Sequence, residues 1–208
     1  MRDRLCVVEL ATAWPTVQGV VATMTAISDG GVAHQSILLV PMSPAVGVID
    51  RYRRFLDPSS RYDMPAHVTV LWPFMAPGLI DEDVLAELAT LFAGIDSFAF
   101  ELTEVRWFDR RVVYLAPEPQ ARFQALTAAV TASFPDYPPY EGAFDDVIPH
   151  VTVAADTKQR FMRLAGWLAR RSLPITGTVT EIWLMTIGDV GPRYGIRRAF
   201  PLRPVRPA

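Results

Sequence analysis

Pro65-Ala66-His67-Val68-Thr69-Val70 and Ile148-Pro149-His150-Val151-Thr152-Val153 are near copies of one another. Valine at the second and fourth positions of each tetrapeptide, with Thr between them, favours a β-strand. Strand side chains alternate, so His67 and Thr69 share one face while Val68 and Val70 take the other. His150 and Thr152 oppose Val151 and Val153 in the same way. Either His alone reads equally well as a satisfied core residue. The chain has only three His, and finding Thr two places after two of them, with apolar residues at the flanking positions both times, has a chance probability on the order of 10⁻⁴. The pair carries the signal.

Outward from these strands the chain reads twice through the same order. Ser36 to Val40 is a short apolar run closed by Pro41. Pro44 to Leu56 repeats apolar residues at helical spacing (Val46, Ile49, Tyr52, Phe55, Leu56), with Arg51, Arg53 and Arg54 among the polar neighbours. After the first motif strand, Asp81 caps a helix with an inner face of Val84, Leu85, Leu88, Leu91 and Phe92. Ser97 to Trp107 and Arg111 to Ala116 form strands joined by a hairpin turn at Phe108–Arg110. A helix with Phe123, Leu126 and Val130, the second motif strand, and a helix with Phe161, Leu164 and Leu168 come next. Leu173 to Ile187 and Tyr194 to Pro201 close the order as two more strands. The expected fold is α+β, an internal duplication: two pseudo-two-fold related lobes of antiparallel-rich strands, with helices on one face. Residues 1–34 read as an N-terminal extension and 35–203 as a single domain. Within it, lobe 1 covers about 35–108 and lobe 2 about 109–203, and 204–208 form a tail.

Half of the 208 residues are hydrophobic and a fifth are charged, which fits a folded globular chain. The formal net charge of −2 excludes bulk basicity as the basis of nucleic-acid binding, so any phosphate recognition is local. Cys6 is the single cysteine, which excludes an intrachain disulfide and a thiolate metal cluster. Leu10 to Ser28 carries no charge, but Pro15, Gln18 and several Thr make it too polar for a membrane helix, and it lacks the compact core of a secretory signal. The expectation is a cytoplasmic protein with no membrane association and no obligate protein partner.

Two imidazoles and two hydroxyls around one space suit in-line attack at phosphorus. One neutral His takes a proton from the attacking water or hydroxyl, and the other, protonated, gives one to the leaving oxygen. Thr69 and Thr152 donate to the non-bridging oxygens, where charge accumulates. His67, Thr69, His150 and Thr152 are therefore the candidate catalytic residues. No metal and no cofactor are expected.

At these residues the sequence resembles the two-histidine (2H) phosphoesterase superfamily, which includes the 2′-5′ RNA ligase-like proteins and cyclic phosphodiesterases. That family's motif is His, an apolar residue, Thr or Ser, and another apolar residue, occurring twice. The resemblance extends through Leu71-Trp72-Pro73-Phe74 after the first motif and Pro138-Pro139-Tyr140-Glu141-Gly142 before the second. It covers about Gln35 to Arg203. It implies a bilobal α+β domain whose motifs line a central groove. It also implies cleavage or formation of 2′,3′-cyclic or 2′-5′ phosphodiester bonds in a small phosphodiester or an RNA 3′-end, without metal. A non-catalytic module holding RNA ends or nucleotides in the same groove is the alternative.

Other residues carry weaker readings. Asp63 and Asp146 each stand four places before a motif His, as orienters of the imidazole, as metal ligands, or as turn residues ahead of a Pro. Tyr140 and Phe144, in the Pro-rich approach to His150, are candidate base-stacking residues for substrate. Arg197, in a run with Arg193, Arg198, Arg203 and Arg206, is a candidate substrate contact. Trp72 shares the parity of Val68 and Val70 and reads as a core residue. His34 reads as a surface loop residue.

Overall fold

The computed structural model describes residues 35–42, 47–144, 146–187 and 193–205. The N-terminal extension, His34 and Arg206 lie outside them. The elements are β1 (Gln35–Pro41), α1 (Gly47–Leu56), β2 (His67–Leu71), α2 (Glu82–Ala93), β3 (Phe98–Phe108), β4 (Val112–Glu118), α3 (Gln120–Ser133), β5 (Val151–Ala155), α4 (Gln159–Arg171), β6 (Ile175–Val179), β7 (Glu181–Ile187) and β8 (Tyr194–Pro201). Local signals place most of them. The Asp81 carboxylate accepts the Val84 N–H at 3.0 Å, capping α2, and Asp109 takes a left-handed φ of 49° in the β3–β4 hairpin. Among the described residues no helix is long and apolar enough to cross a membrane.

The eight strands form one antiparallel sheet in the order β6-β3-β4-β5-β2-β1-β7-β8. The two motif strands meet at its centre. A pseudo-two-fold axis between β2 and β5 relates β1 to β4, β3 to β7 and β6 to β8. The duplication is therefore real, but its lobes are not contiguous segments of chain. β3, the last strand of the first unit, pairs with β4 of the second, and β7 of the second pairs with β1 of the first. The boundary near 108/109 separates two sequence units whose strands are exchanged between the halves of the sheet.

A second difference lies at Leu173–Ile187, expected as one strand. It is two, β6 and β7, divided at Thr180 and lying in opposite halves of the sheet. A connection of one residue between an edge strand and the far half requires the sheet to curl until its ends approach. Backbone hydrogen bonds complete that closure: Ser97 N–H donates to the Arg203 carbonyl at 2.9 Å, and Arg203 N–H to that of Ile95 at 2.8 Å.

All four helices pack on one face of the curl, in a core with Val68, Val70, Val151 and Val153. In α2 and α3 the residues buried there include the expected Leu85, Leu88, Phe92, Phe123, Leu126 and Val130. The other two helices follow the expected pattern only in part: Ile49 of α1 is buried as expected, and Leu56 packs against the core. In α1 Arg53 is 2% exposed and Phe55 is 83% exposed. In α4 the buried positions are Met162, Ala165, Gly166 and Ala169, while Leu164 is exposed. Small residues let α4 approach the sheet closely: a Cβ at Gly166 would stand 3.3 Å from the Trp107 ring.

Candidate active site

On the face opposite the helices, β2 and β5 join through the pair Val68↔Val151. Extending that antiparallel register by one residue in each direction sets His67 opposite Thr152 and Thr69 opposite His150. The four motif side chains thus form a quadrilateral about the pseudo-two-fold, with each imidazole beside the other strand's hydroxyl. Convergence comes from pairing within one continuous sheet, not from two sheets facing each other over a cleft.

Both motif strands carry a β-bulge at the same place. Leu38 pairs with Leu71 and Leu39 with Thr69, so Val70 is the extra residue of β2. Val113 pairs with Ala154 and Tyr114 with Thr152, so Val153 is the extra residue of β5. A bulge resets the alternation beyond it, so Leu71 and Ala154 join Val70 and Val153 in the helix-side core. Trp72 is thereby moved to the site face. There it packs with Leu39, Tyr194 and Tyr140, which overturns its reading as a helix-side core residue. The buried Thr127 hydroxyl of α3 donates to the carbonyl of the bulged Val70 at 2.8 Å.

Each imidazole is held the same way. His67 Nδ1 lies 2.8 Å from the Pro65 carbonyl and His150 Nδ1 2.8 Å from that of Ile148. A carbonyl only accepts, so Nδ1 carries the proton in both rings and Nε2 is left to face the site. Burial holds the His67 pKa at about 4, helped by the neighbouring Arg53 guanidinium and opposed by the Pro65 carbonyl and the Asp57 carboxylate. His150 also disfavours a proton on His67, as the smallest of these contributions. Burial lowers the His150 pKa too, against the Ile148 carbonyl and Asp57.

Arg53 is a residue the sequence reading treated as solvated. It makes a 2.6 Å ion pair with Asp57 in which both side chains are 2% exposed, and it reaches Asp50 and the Met64 carbonyl. The pair fastens the end of α1 to the loop that leads into His67. The available signal was the i,i+4 spacing of Arg53 and Asp57 itself.

Aromatic groups flank the quadrilateral on both sides. Near Thr69, the Tyr140 hydroxyl is within hydrogen-bonding reach of the Thr69 hydroxyl, and burial raises its pKa to about 12. The Tyr140 ring meets Trp72 edge-on at 6.2 Å and Phe144 at 5.4 Å, and its N–H donates to the Trp72 carbonyl at 2.7 Å. Tyr140 and Phe144 are therefore beside the site. On the other side His150 stands edge-on to Phe108 at 5.0 Å and to Tyr114 at 5.6 Å, and those two rings stack at 4.1 Å. No sequence signal linked Phe108 to His150.

Arg197 is not at the site. Its guanidinium donates to the carbonyls of Pro77 and Ile80, in the turn ahead of α2. It sits at the residue inserted by a bulge in β8, so alternation gave no guide to its direction. Asp63 is a turn residue at φ 59°, paired with Arg193 at 2.9 Å. Asp146 is exposed. Among the described residues no three His, Cys, Asp or Glu cluster as a metal-ion site would require.

A curled antiparallel sheet with paired His-x-Thr-x strands at its centre defines the two-histidine phosphoesterases. Residues 40–191 match the model of the 2′-5′ RNA ligase superfamily, and the chain belongs to that family. Its activity class is accordingly that of a phosphoesterase. No curated protein matches the chain by sequence. Among solved structures, TT0787 of Thermus thermophilus is 18% identical, with 83% of this chain and 100% of that one covered and a TM-score of 0.54. E. coli LigT in its apo form is 16% identical over 82% and 98% of the two chains, with a TM-score of 0.51. E. coli LigT complexed with NADP+ is 17% identical over 83% and 99%, with a TM-score of 0.50. These likenesses are of fold.

Proposed function

We propose that the protein is a metal-independent phosphodiesterase acting on 2′,3′-cyclic phosphate or 2′-5′ phosphodiester bonds of RNA ends or nucleotides. The observation that carries this reading is the shared arrangement of the two imidazoles. Each donates its Nδ1 proton to the carbonyl two residues back, which leaves Nε2 of each ring for substrate. A phosphoryl group above the Val68–Val151 pair would meet both Nε2 atoms and both Thr hydroxyls.

In hydrolysis of a cyclic ester, His67 is the base. Burial and Arg53 hold its pKa at about 4, so it is neutral at physiological pH. Its Nε2 takes a proton from water as the oxygen bonds to phosphorus. Protonated His150 delivers its Nε2 proton to the departing ribose oxygen. The anionic substrate supplies the negative charge that keeps His150 protonated against burial. Thr69 and Thr152 donate to the non-bridging oxygens, and Tyr140, kept protonated by burial, hydrogen-bonds the Thr69 hydroxyl and holds it in place. NADP+, present in one of the E. coli LigT structures, bears a ribose 2′-phosphate, the kind of group such a site would hold after cleavage.

The test is a screen of 2′,3′-cyclic nucleotides, 2′-5′ dinucleotides and cyclic-ended RNA with chelator present throughout. Turnover is expected, and His67→Ala and His150→Ala should each lower kcat by about 10²–10⁴-fold with the fold retained. Full activity in either variant ends the two-histidine mechanism. Activity only after metal is restored ends the metal-independent one.

A further inference from the structure

Resting on that reading, we infer that Phe108 and Arg106 form a subsite for the nucleotide next to the reacting one, so that the substrate is an oligonucleotide end and not a mononucleotide. The register of the sheet carries the inference. Arg106 pairs with Tyr114, and Tyr114 with Thr152. Residues directly opposite one another share a face, so Arg106, Tyr114, Thr152 and His67 form one row across β3, β4, β5 and β2. Two strand spacings separate Arg106 from Thr152, ~10 Å, a gap that one nucleotide unit spans.

Within this row the chemistry is that of a nucleotide site. Tyr114 is buried, with Phe108 stacked on it. Phe108 is half-buried, so its outer face is open to a base while Tyr114 and His150 support it from behind and from the edge. Base–aromatic stacking needs one open face and tolerates any base. Among the described residues Arg106 pairs with Glu104, in an ion pair with both side chains exposed. Such a pair is worth little, so a phosphate can take the guanidinium from it. Arg53, by contrast, is committed to buried Asp57.

The experiment measures binding, so that it reads the subsite whether or not turnover occurs. The intact protein is titrated with a nucleoside 3′-monophosphate and with an RNA trinucleotide ending in the same 3′-phosphate, over a range of salt. The trinucleotide should bind about 10-fold or more tightly than the monophosphate. Phe108→Leu should reduce that ratio by about 10-fold, and Phe108→Trp should keep it, since stacking is what is lost or retained. Arg106→Gln should reduce the ratio and lower the slope of log K against log salt by about 0.7, the contribution of one phosphate contact on a single strand. Equal affinity for the two ligands, no binding of either, or variants that weaken both ligands alike would each overturn the subsite. If the ratio behaves as stated but no cyclic or 2′-5′ ester is cleaved, the catalytic proposal falls and the subsite stands.

Discussion

At the scale of single residues, the two imidazoles are alike in tautomer and unlike in surroundings. His67 has Arg53 close by as well as a more complete burial, and its pKa of about 4 lies below the ordinary value near 6.5. The unfolded chain therefore binds a proton at this position before the folded one does. The resulting stability is fully present above pH 6.5 and is lost as the pH falls towards 4, a difference on the order of 3 kcal/mol. Denaturant titrations between pH 4 and 7 should show this slope, and His67→Gln should flatten it. Arg53→Met removes a charge that lowers the pKa and leaves Asp57, which raises it. The His67 titration, followed by NMR, should move to higher pH in that variant. An unchanged midpoint would detach Arg53 from the electrostatics of the site.

At the scale of elements, the motif strands depend on helices that pack behind them. The Val70 bulge turns Thr69 and Trp72 both to the site face, and Thr127 of α3 holds the bulged carbonyl. Thr127→Val keeps the shape and removes the donor, leaving a buried carbonyl short of a partner at a cost of about 1–3 kcal/mol. Because the strain falls next to Thr69, kcat should drop together with stability. A stable variant with intact kcat would make the contact incidental. The end of α1 makes the same kind of link through a buried ion pair. Asp57→Ala takes the closest counter-charge from buried Arg53, leaving the longer Asp50 pair, and should cost about 3–5 kcal/mol, whereas Arg53→Met combined with Asp57→Ala should recover much of the loss. Thermal or denaturant unfolding of the three variants measures both effects, and a fully additive double variant would show the two charges to be uncoupled.

For the molecule as a whole, each half of the sheet is built from both sequence units. A fragment of residues 35–108 would contain β3 without β4 or β6, and β1 without β7, leaving long unpaired strand edges. Neither that fragment nor 109–203 should fold alone. Mixing the two should restore the circular dichroism of the whole chain. Cooperative unfolding of the isolated 35–108 fragment would contradict this interlocking.

What the sequence carried on its own was whatever repeats within a few residues. The two His-x-Thr-x strands and their facing, the Asp81 cap, the apolar stripes of α2 and α3 and the order of a duplicated α+β chain could all be read from local spacing, because a strand or helix fixes where neighbouring side chains point. Tertiary structure decided the rest. Bulges arise from the pairing of strands, so parity misassigned Trp72 and could not place Arg197. Burial depends on what an element meets, so Arg53 went inside to Asp57 and Phe55 stayed out. Strand order depends on partners far apart in the chain, so neither the exchange of β3 and β7 nor the approach of Phe108 and Tyr114 to His150 has any signature in nearby residues.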